Sequence, residues 1–184
     1  IINIKNGEIN MKEERVSKIF MEDSQIKGGW LDLNINNDMI IPVSYLNSRF
    51  FYDLLSLVQV LNNYCTIGCR NLYLEIDCEG TLAYISIYTF SEGKTPEDVD
   101  YDALDDVKVS VIKECFNKET QETYEKQYNY VISKKEFMEN IITFVENKID
   151  EYNVDFCCDD VADKISKTYV EIIKRGLIDR YRLI

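Results

Sequence analysis

The sequence predicts an α+β domain, with a mostly antiparallel sheet of about six strands, one inserted helix and two C-terminal helices. Several short segments alternate apolar and polar residues, which is the period of a strand with one buried face. Three other segments carry apolar residues at helical spacing, one between the strands and two after them. Short turn sequences between neighbouring strands favour hairpins, which are antiparallel. The 184 residues are expected to form a single domain.

The N-terminal residues predict one peripheral element and one strand. Residues 1–14 are expected either to contain a small hairpin around Asn6-Gly7 or to be a processed or expression-derived segment. Residues 15–22 have the composition of a strand. Residues 25–29, which end in two glycines, are expected to break it.

A two-stranded meander and the first helix are predicted next. Residues 30–35 alternate as a strand does, and residues 36–38 can adopt the left-handed conformations of a three-residue loop that returns into residues 39–43. Pro42 is expected to end that strand, and Ser44 to cap a helix over residues 45–64. The helix is indicated by apolar residues at helical spacing, namely Leu46, Phe50, Leu54, Leu57, Val58 and Leu61.

The clearest pattern in the chain is a hairpin of two strands, residues 72–78 and 81–90, joined at Glu79-Gly80. A two-residue loop there gives one aliphatic face, with Ile76 opposite Ala83, Leu74 opposite Ile85 and Leu72 opposite Ile87. The second face would carry groups suited to a half-solvated surface or to contact with a helix, namely Tyr73, Tyr84, Tyr88, Glu75 and Asp77.

An acidic loop without periodicity follows this hairpin, and further strands follow the loop. Residues 107–116 and 128–132 are predicted strands, and the polar residues 117–127 between them are predicted to be a turn flanked by extended arms. Ser133 and Glu136 form a capping box that begins an amphipathic helix ending near residue 152.

A last helix is predicted to begin at residue 159 or 160 and to end at residue 175, with Gly176 in the C′ position after it. Its acids lie at the start and its bases at the end, as the helix dipole favours.

The chain contains no histidine. This excludes Ser-His-Asp and Cys-His nucleophiles, histidine metal ligands and an imidazole general base. The glycines form no phosphate-binding loop. We therefore expect no enzyme, and a carboxylate-based enzyme is the remaining catalytic alternative.

The cysteines and acidic residues predict neither a disulfide framework nor a metal site, and no cofactor is expected. Residues 98–109 match the first ligand positions of a calcium loop, but Ala103 and Val109 stand where Gly and Glu are required. The spacing of the cysteines suits reduced thiols in a cytoplasmic protein better than zinc; the six are Cys65, Cys69, Cys78, Cys115, Cys157 and Cys158. No apolar run is long enough for a membrane span.

The net charge of −12 is concentrated in two segments, residues 92–106 and 146–163, each with seven acids and one lysine. The rest of the chain is neutral, with 19 acids and 19 bases. Such a field disfavours nucleic acid and anionic membranes as partners and favours a basic protein. The alternative is that the acids serve only solubility.

The first acidic segment is the predicted partner-binding site. Tyrosine next to carboxylates is common in surfaces that bind basic proteins, because the ring supplies buried area and the acids attract the partner. Tyr101 is the best aromatic candidate because its loop has no sheet to stabilise. The predicted contact residues are Glu97, Asp98, Asp100, Tyr101, Asp102, Asp105 and Asp106.

In outline the chain resembles the bacterial immunity proteins that neutralise polymorphic or contact-dependent toxins. The resemblance comes from the small acidic α+β domain, the lack of catalytic groups, the acidic run at residues 97–106 and the capped helix from Ser133. It implies that the chain occludes a basic toxin domain, often a nuclease. An alternative class is a nucleic-acid mimic that regulates a DNA-binding protein.

Overall fold

The fold is α+β, as predicted. The computed structural model describes residues 4–5, 8–9, 13–47, 49–63, 71–88, 106–157 and 164–182. In this part of the chain, three helices accompany a five-stranded sheet, a three-stranded sheet and a two-stranded hairpin. The buried apolar side chains of both larger sheets and all three helices form one continuous cluster.

The five-stranded sheet has the order β3, β10, β9, β8, β7. Its strands are β3 (Glu13–Arg15), β7 (Asn71–Asp77), β8 (Leu82–Tyr88), β9 (Asp106–Asn117) and β10 (Glu122–Ser133). Only the pairing of β3 with β10 is parallel within this sheet. The predicted hairpin register is confirmed, with Ile76 opposite Ala83, Leu74 opposite Ile85 and Leu72 opposite Ile87.

Residues 25–44 form a separate three-stranded sheet, so the expected sheet of about six strands is approximate: among the described residues, the larger sheet has five strands. The strands of the smaller sheet are β4 (Gln25–Lys27), β5 (Trp30–Ile35) and β6 (Met39–Ser44). Residues 25–29 were expected to break a strand, but they contain β4 and a tight turn into β5. That turn is formed by Gly28 and Gly29, whose φ angles are +59° and +82°. The predicted loop after β5 is confirmed, with φ of 46° at Asn36 and 62° at Asn37.

The strand predicted at residues 15–22 is mostly absent. β3 ends at Arg15, and only Phe20 forms an isolated bridge, to Ile35. Ile19 and Phe20 are adjacent and both fully buried. A strand with one buried face cannot bury two consecutive side chains on that face, so this segment adopts an irregular conformation. The hairpin expected near the N-terminus is present as β1 (Ile4–Lys5) and β2 (Glu8–Ile9), which pair antiparallel.

The first helix, α1, spans Phe50–Asn63 and begins later than predicted. Pro42 lies inside β6 and does not end it, because β6 is at the edge of its sheet, where a missing N–H is tolerated. A short 3-10 helix, Tyr45–Asn47, separates β6 from α1. Leu46 therefore lies outside the helix and is exposed. The other apolar positions predicted for the helix are buried.

The turn between extended arms that was expected over residues 117–127 is present, with the turn confined to 118–121 and the arms continuous with β9 and β10. β8 pairs with β9 only from Lys108 to Lys113. Beyond that point the two strands pair only with each other and form a two-stranded arm, residues 114–125. The polar sequence of the arm carries little strand period because both of its faces are largely solvent-exposed.

Helix α2 (Lys134–Glu151) begins at the predicted cap, where the Ser133 Oγ accepts the Glu136 N–H at 3.1 Å. The Glu136 carboxylate accepts the Ser133 hydroxyl, rather than the backbone N–H expected for a capping box. A π-helical turn, Tyr152–Phe156, follows α2. Helix α3 spans Lys167–Arg182, so it begins later than predicted and continues through Gly176, which is not a C′ residue.

Candidate partner-binding surface

Most of the predicted site lies outside the described residues. This holds for Glu97, Asp98, Asp100, Tyr101, Asp102 and Asp105. Asp106 is the first residue of β9, and its carboxylate binds the Arg15 guanidinium at 2.8 and 2.9 Å. That hydrogen-bonded pair lowers the pKa of Asp106 and raises the pKa of Arg15. Asp106 is therefore neutralised by a residue of its own chain.

The second acidic segment is also partly neutralised. Glu146 binds Lys174 at 2.7 Å and Asp150 binds Lys167 at 2.7 Å, which joins α2 to α3. Glu151 lies 3.7 Å from Lys148 in the same helix. The described acids of residues 146–151 thus pair with lysines of their own chain, and they leave less charge for a partner than the sequence indicates.

A different acidic surface forms on the five-stranded sheet, on the side away from the core. We call it the outer face and define it by Tyr73, Tyr84, Tyr88 and Phe116 together with Glu75, Glu114 and Glu125. Strand pairing places Glu75 opposite Tyr84 and Glu114 opposite Glu125. Tyr73, Phe116 and Tyr88 are 64%, 49% and 40% exposed. The neighbouring residues in sequence point the other way and include the fully buried Ile85 and Ile87.

The three carboxylates of the outer face lie close enough to Tyr84 to influence its pKa. Desolvation is the largest cause of a raised Tyr84 pKa, and the negative charges of Glu75, Glu114 and Glu125 add to it. Glu114 accepts the Leu82 N–H at 3.0 Å, which fixes its side chain. Within the described ranges, no lysine or arginine forms an ion pair with any of the three. Negative charge and aromatic area therefore coincide here.

A small cavity of about 210 Å³ lies at the Tyr88 end of the same sheet. One wall is an ion pair at 3.0 Å between Lys108 of β9 and Glu13 of β3. The Gln127 amide donates to the Ser110 hydroxyl at 3.0 Å and to the Asn129 side chain at 3.3 Å. The cavity is lined by Glu13, Tyr88, Lys108, Val109, Ser110, Asn129 and Tyr130. Its polar lining extends the outer face toward the acidic segment.

Sequence reasoning found part of this surface. Tyr73, Tyr84, Tyr88 and Glu75 were predicted to share the second face of the hairpin, and they do. Glu114 and Glu125 were missed, because they are brought together by the pairing of β9 with β10, which the sequence does not reveal. Glu114 lies in the predicted strand 107–116, and alternation with the apolar Val109 and Val111 places it on the opposite face of that strand. The sequence does not show that this strand pairs with β8, which is what brings Glu114 next to the hairpin.

The described residues include no group of three or more Cys, Asp or Glu side chains arranged to hold a metal ion. Cys78 and Cys115 are free thiols, and burial raises the pKa of the Cys78 thiol to about 11. The calcium-like loop and the remaining cysteines, Cys65, Cys69 and Cys158, lie outside the described residues. None of the helices, as far as they are described, combines the length and apolarity that crossing a bilayer requires.

Comparison with family models, with curated proteins and with solved structures found no match to this chain. The candidate binding surface therefore rests on geometry and charge alone.

Proposed function

We propose that the chain is a binding protein that captures a basic protein on the outer face and neutralises it by occlusion, as a toxin immunity protein does. The observation that supports this most is the coincidence of exposed Tyr73, Tyr88 and Phe116 with Glu75, Glu114 and Glu125, which have no ion-pair partner among the described residues. Aromatic rings provide area that can be buried, and the carboxylates attract and orient a cationic partner.

The acidic segment 92–106 supports the same proposal. It lies in the sequence between β8, whose last described residue is Tyr88, and β9, which begins at Asp106. The side chains of Tyr88 and Lys108, which are paired near its two ends, lie on the outer side of the sheet. We propose that the segment and the outer face act as one negatively charged surface, with Tyr101 contributing to contact.

The proposal predicts that neutralising the outer face slows association more than the same change in charge elsewhere. The triple variant E75Q/E114Q/E125Q should reduce the association rate with the native basic partner about tenfold at low salt, and the difference should shrink as salt screens the charges. The partner is obtained by capture from the native host and elution with salt, and rates are measured by surface plasmon resonance.

A matched control carries the same charge change on residues already paired with lysines, E146Q/D150N/E151Q. It should associate within about twofold of the wild type, because each of those carboxylates is already paired with a lysine of the chain. Equal association rates for the two triple variants would contradict the proposal. It would also be contradicted if the only protein captured from the host were acidic and free of nucleic acid. An inhibitor should also abolish the toxicity or activity of the captured partner when mixed with it at equal amounts.

The nucleic-acid mimic is separated from this proposal by the identity of the partner. A mimic would compete with DNA for a DNA-binding protein, so added duplex DNA would displace the chain. An immunity protein that occludes a non-nuclease site would not be displaced in this way.

A further inference from the structure

Strand β7 is the last strand of the five-stranded sheet, and within the described residues no further strand pairs with it. Cys78, just beyond it, donates its N–H to the Thr81 carbonyl in the hairpin turn at 2.9 Å and so faces β8. Asp77 faces the opposite way: its N–H donates to the Asn47 Oδ1 at 3.0 Å, and its carbonyl accepts the Asn47 Nδ2 at 2.7 Å. Backbone groups alternate in direction along an antiparallel strand. Glu75 and Tyr73 therefore also point their backbone N–H and C=O outward.

The Asn47 amide occupies the position that the backbone of a neighbouring strand would take at Asp77, and it uses both outward groups of that residue. At Glu75 and Tyr73, no described residue forms a comparable hydrogen bond with the outward backbone groups. Natural edge strands are usually blocked by lysine, proline or a bulge. β7, with the sequence NLYLEID, contains neither lysine nor proline, so two consecutive outward positions are available for pairing.

The apolar face of the sheet is also incompletely covered at this edge. Ile85 and Ile87 in β8 are fully buried, whereas their partners Leu74 and Leu72 in β7 are only half-buried. On the other face of the same strand, Tyr73 is 64% exposed and Glu75 is exposed. An added strand would cover the leucines with one set of alternate side chains and meet Tyr73 and Glu75 with the other set.

We propose that β7 binds an extended segment of the basic partner as an additional strand of the sheet. The inference rests on the proposed function and specifies how the partner binds. The segment would place an apolar side chain over Leu74 and a lysine or arginine beside Glu75, whose carboxylate has no ion-pair partner within the described ranges. Main-chain hydrogen bonds would supply affinity, and the alternating side chains would supply specificity.

Charge favours a basic partner over a second copy of this chain. Each copy has a net charge of −12, so two copies repel one another, while a cationic strand is attracted. Pairing of β7 with itself would give a dimer whose formation is favoured by high salt. Pairing with the basic segment would be weakened by high salt.

The test uses a capped nine-residue peptide of alternating lysine and valine as the probe. Peptide binding is followed by amide resonances and by hydrogen exchange in the full chain. The expected result is slower exchange of the outward amides of Tyr73 and Glu75, by tenfold or more at saturation, with little change at Leu74, whose amide pairs with β8.

Two variants separate the backbone contribution from the side chain. Y73V keeps the outward N–H and removes the ring, whereas Y73P also removes the N–H without breaking a bond to β8. Y73P should bind the peptide at least tenfold more weakly than Y73V. Thermal unfolding of both variants establishes that they fold before binding is compared.

Three outcomes would overturn strand addition. These are equal affinity of Y73P and Y73V, no protection of the Tyr73 and Glu75 amides at saturation, and a salt-promoted dimer that excludes the peptide. None of them would affect the comparison of the two triple variants with the native partner. If E75Q/E114Q/E125Q associates as fast as its control, the proposed function fails instead, whatever the peptide does.

Discussion

Asn140 shows how a single polar side chain determines the path of an irregular segment. It lies on α2 and is buried. Its Oδ1 accepts the N–H groups of Ile19 and Phe20 at 2.9 Å each, and its Nδ2 donates to the Phe20 carbonyl at 2.9 Å. These backbone groups would otherwise be buried without partners, which is costly. The amide therefore replaces a missing strand and allows both apolar side chains to enter the core.

We predict that N140A destabilises the fold by about 2–4 kcal/mol, because it leaves three buried backbone groups without partners. The free energy of unfolding is measured by urea denaturation. The control is E139A, which changes the neighbouring, exposed residue of the same helix and should alter stability by less than about 0.5 kcal/mol. Equal stability of N140A and the control would mean that water replaces the amide without loss.

At the scale of elements, two glycines illustrate opposite uses of the same residue. Gly176 lies inside α3, and a Cβ there would come no closer than 4.0 Å to the Asn62 side chain. Gly80 lies in the turn between β7 and β8 with a φ of +104°, and a Cβ there would meet nothing within 4 Å. Space is available at both positions, so only backbone conformation distinguishes them.

We therefore predict opposite signs for two identical substitutions. G176A should raise stability by about 0.5–1 kcal/mol, because alanine favours the helix. G80A should lower it by about 1 kcal/mol, because an L-residue is strained at positive φ. Thermal and urea midpoints of the two variants are compared with the wild type. A stabilising effect at Gly80, or a destabilising one at Gly176, would show that contacts outweigh backbone preference at that position.

The elements that were predicted correctly are those whose signals are local. Glu79-Gly80 fixed the hairpin register, and Ser133 with Glu136 fixed the start of α2. Gly28-Gly29 is ambiguous, because two glycines can end a strand or turn it, and the choice depends on pairing with β5. The outer face was predicted only within one hairpin, since Glu114 and Glu125 join it through a pairing that the sequence does not reveal.

At the scale of the whole molecule, ion pairing decides which charges are available to a partner. The sequence assigned the excess charge to two segments, but Asp106, Glu146 and Asp150 are paired with basic residues of the chain. The unpaired described carboxylates Glu75, Glu114 and Glu125 come from the part of the chain whose net charge is zero. Charge counted along the sequence therefore differs from charge available at the surface, and the difference moves the candidate site onto the sheet.

A chain of aromatic rings joins the small sheet to the helices. Phe20, which bridges to β5, lies 5.7 Å from Phe144 of α2, and Phe144 lies 5.7 Å from Phe51 of α1. Phe51 stacks on Tyr152 at 3.9 Å with an interplanar angle of 6°. The π-helical turn that begins at Tyr152 also accepts the Gly29 N–H, at the Asp155 carbonyl. This arrangement favours unfolding of both sheets as one unit.

We predict that F51A lowers the free energy of unfolding by about 3–5 kcal/mol. The unfolding midpoints measured by tryptophan fluorescence and by circular dichroism should fall together. Trp30, the only tryptophan, lies in β5, so its fluorescence reports on the small sheet, while far-ultraviolet circular dichroism reports mainly on the larger sheet and the helices. Coincident midpoints before and after the substitution are expected for a single domain. The control is F116A, on the exposed arm. It should change the free energy of unfolding measured by either signal by no more than about 0.5 kcal/mol. Separate midpoints in F51A would instead mean that the three-stranded sheet is a second folding unit, because its signal would then survive the loss of the aromatic contacts.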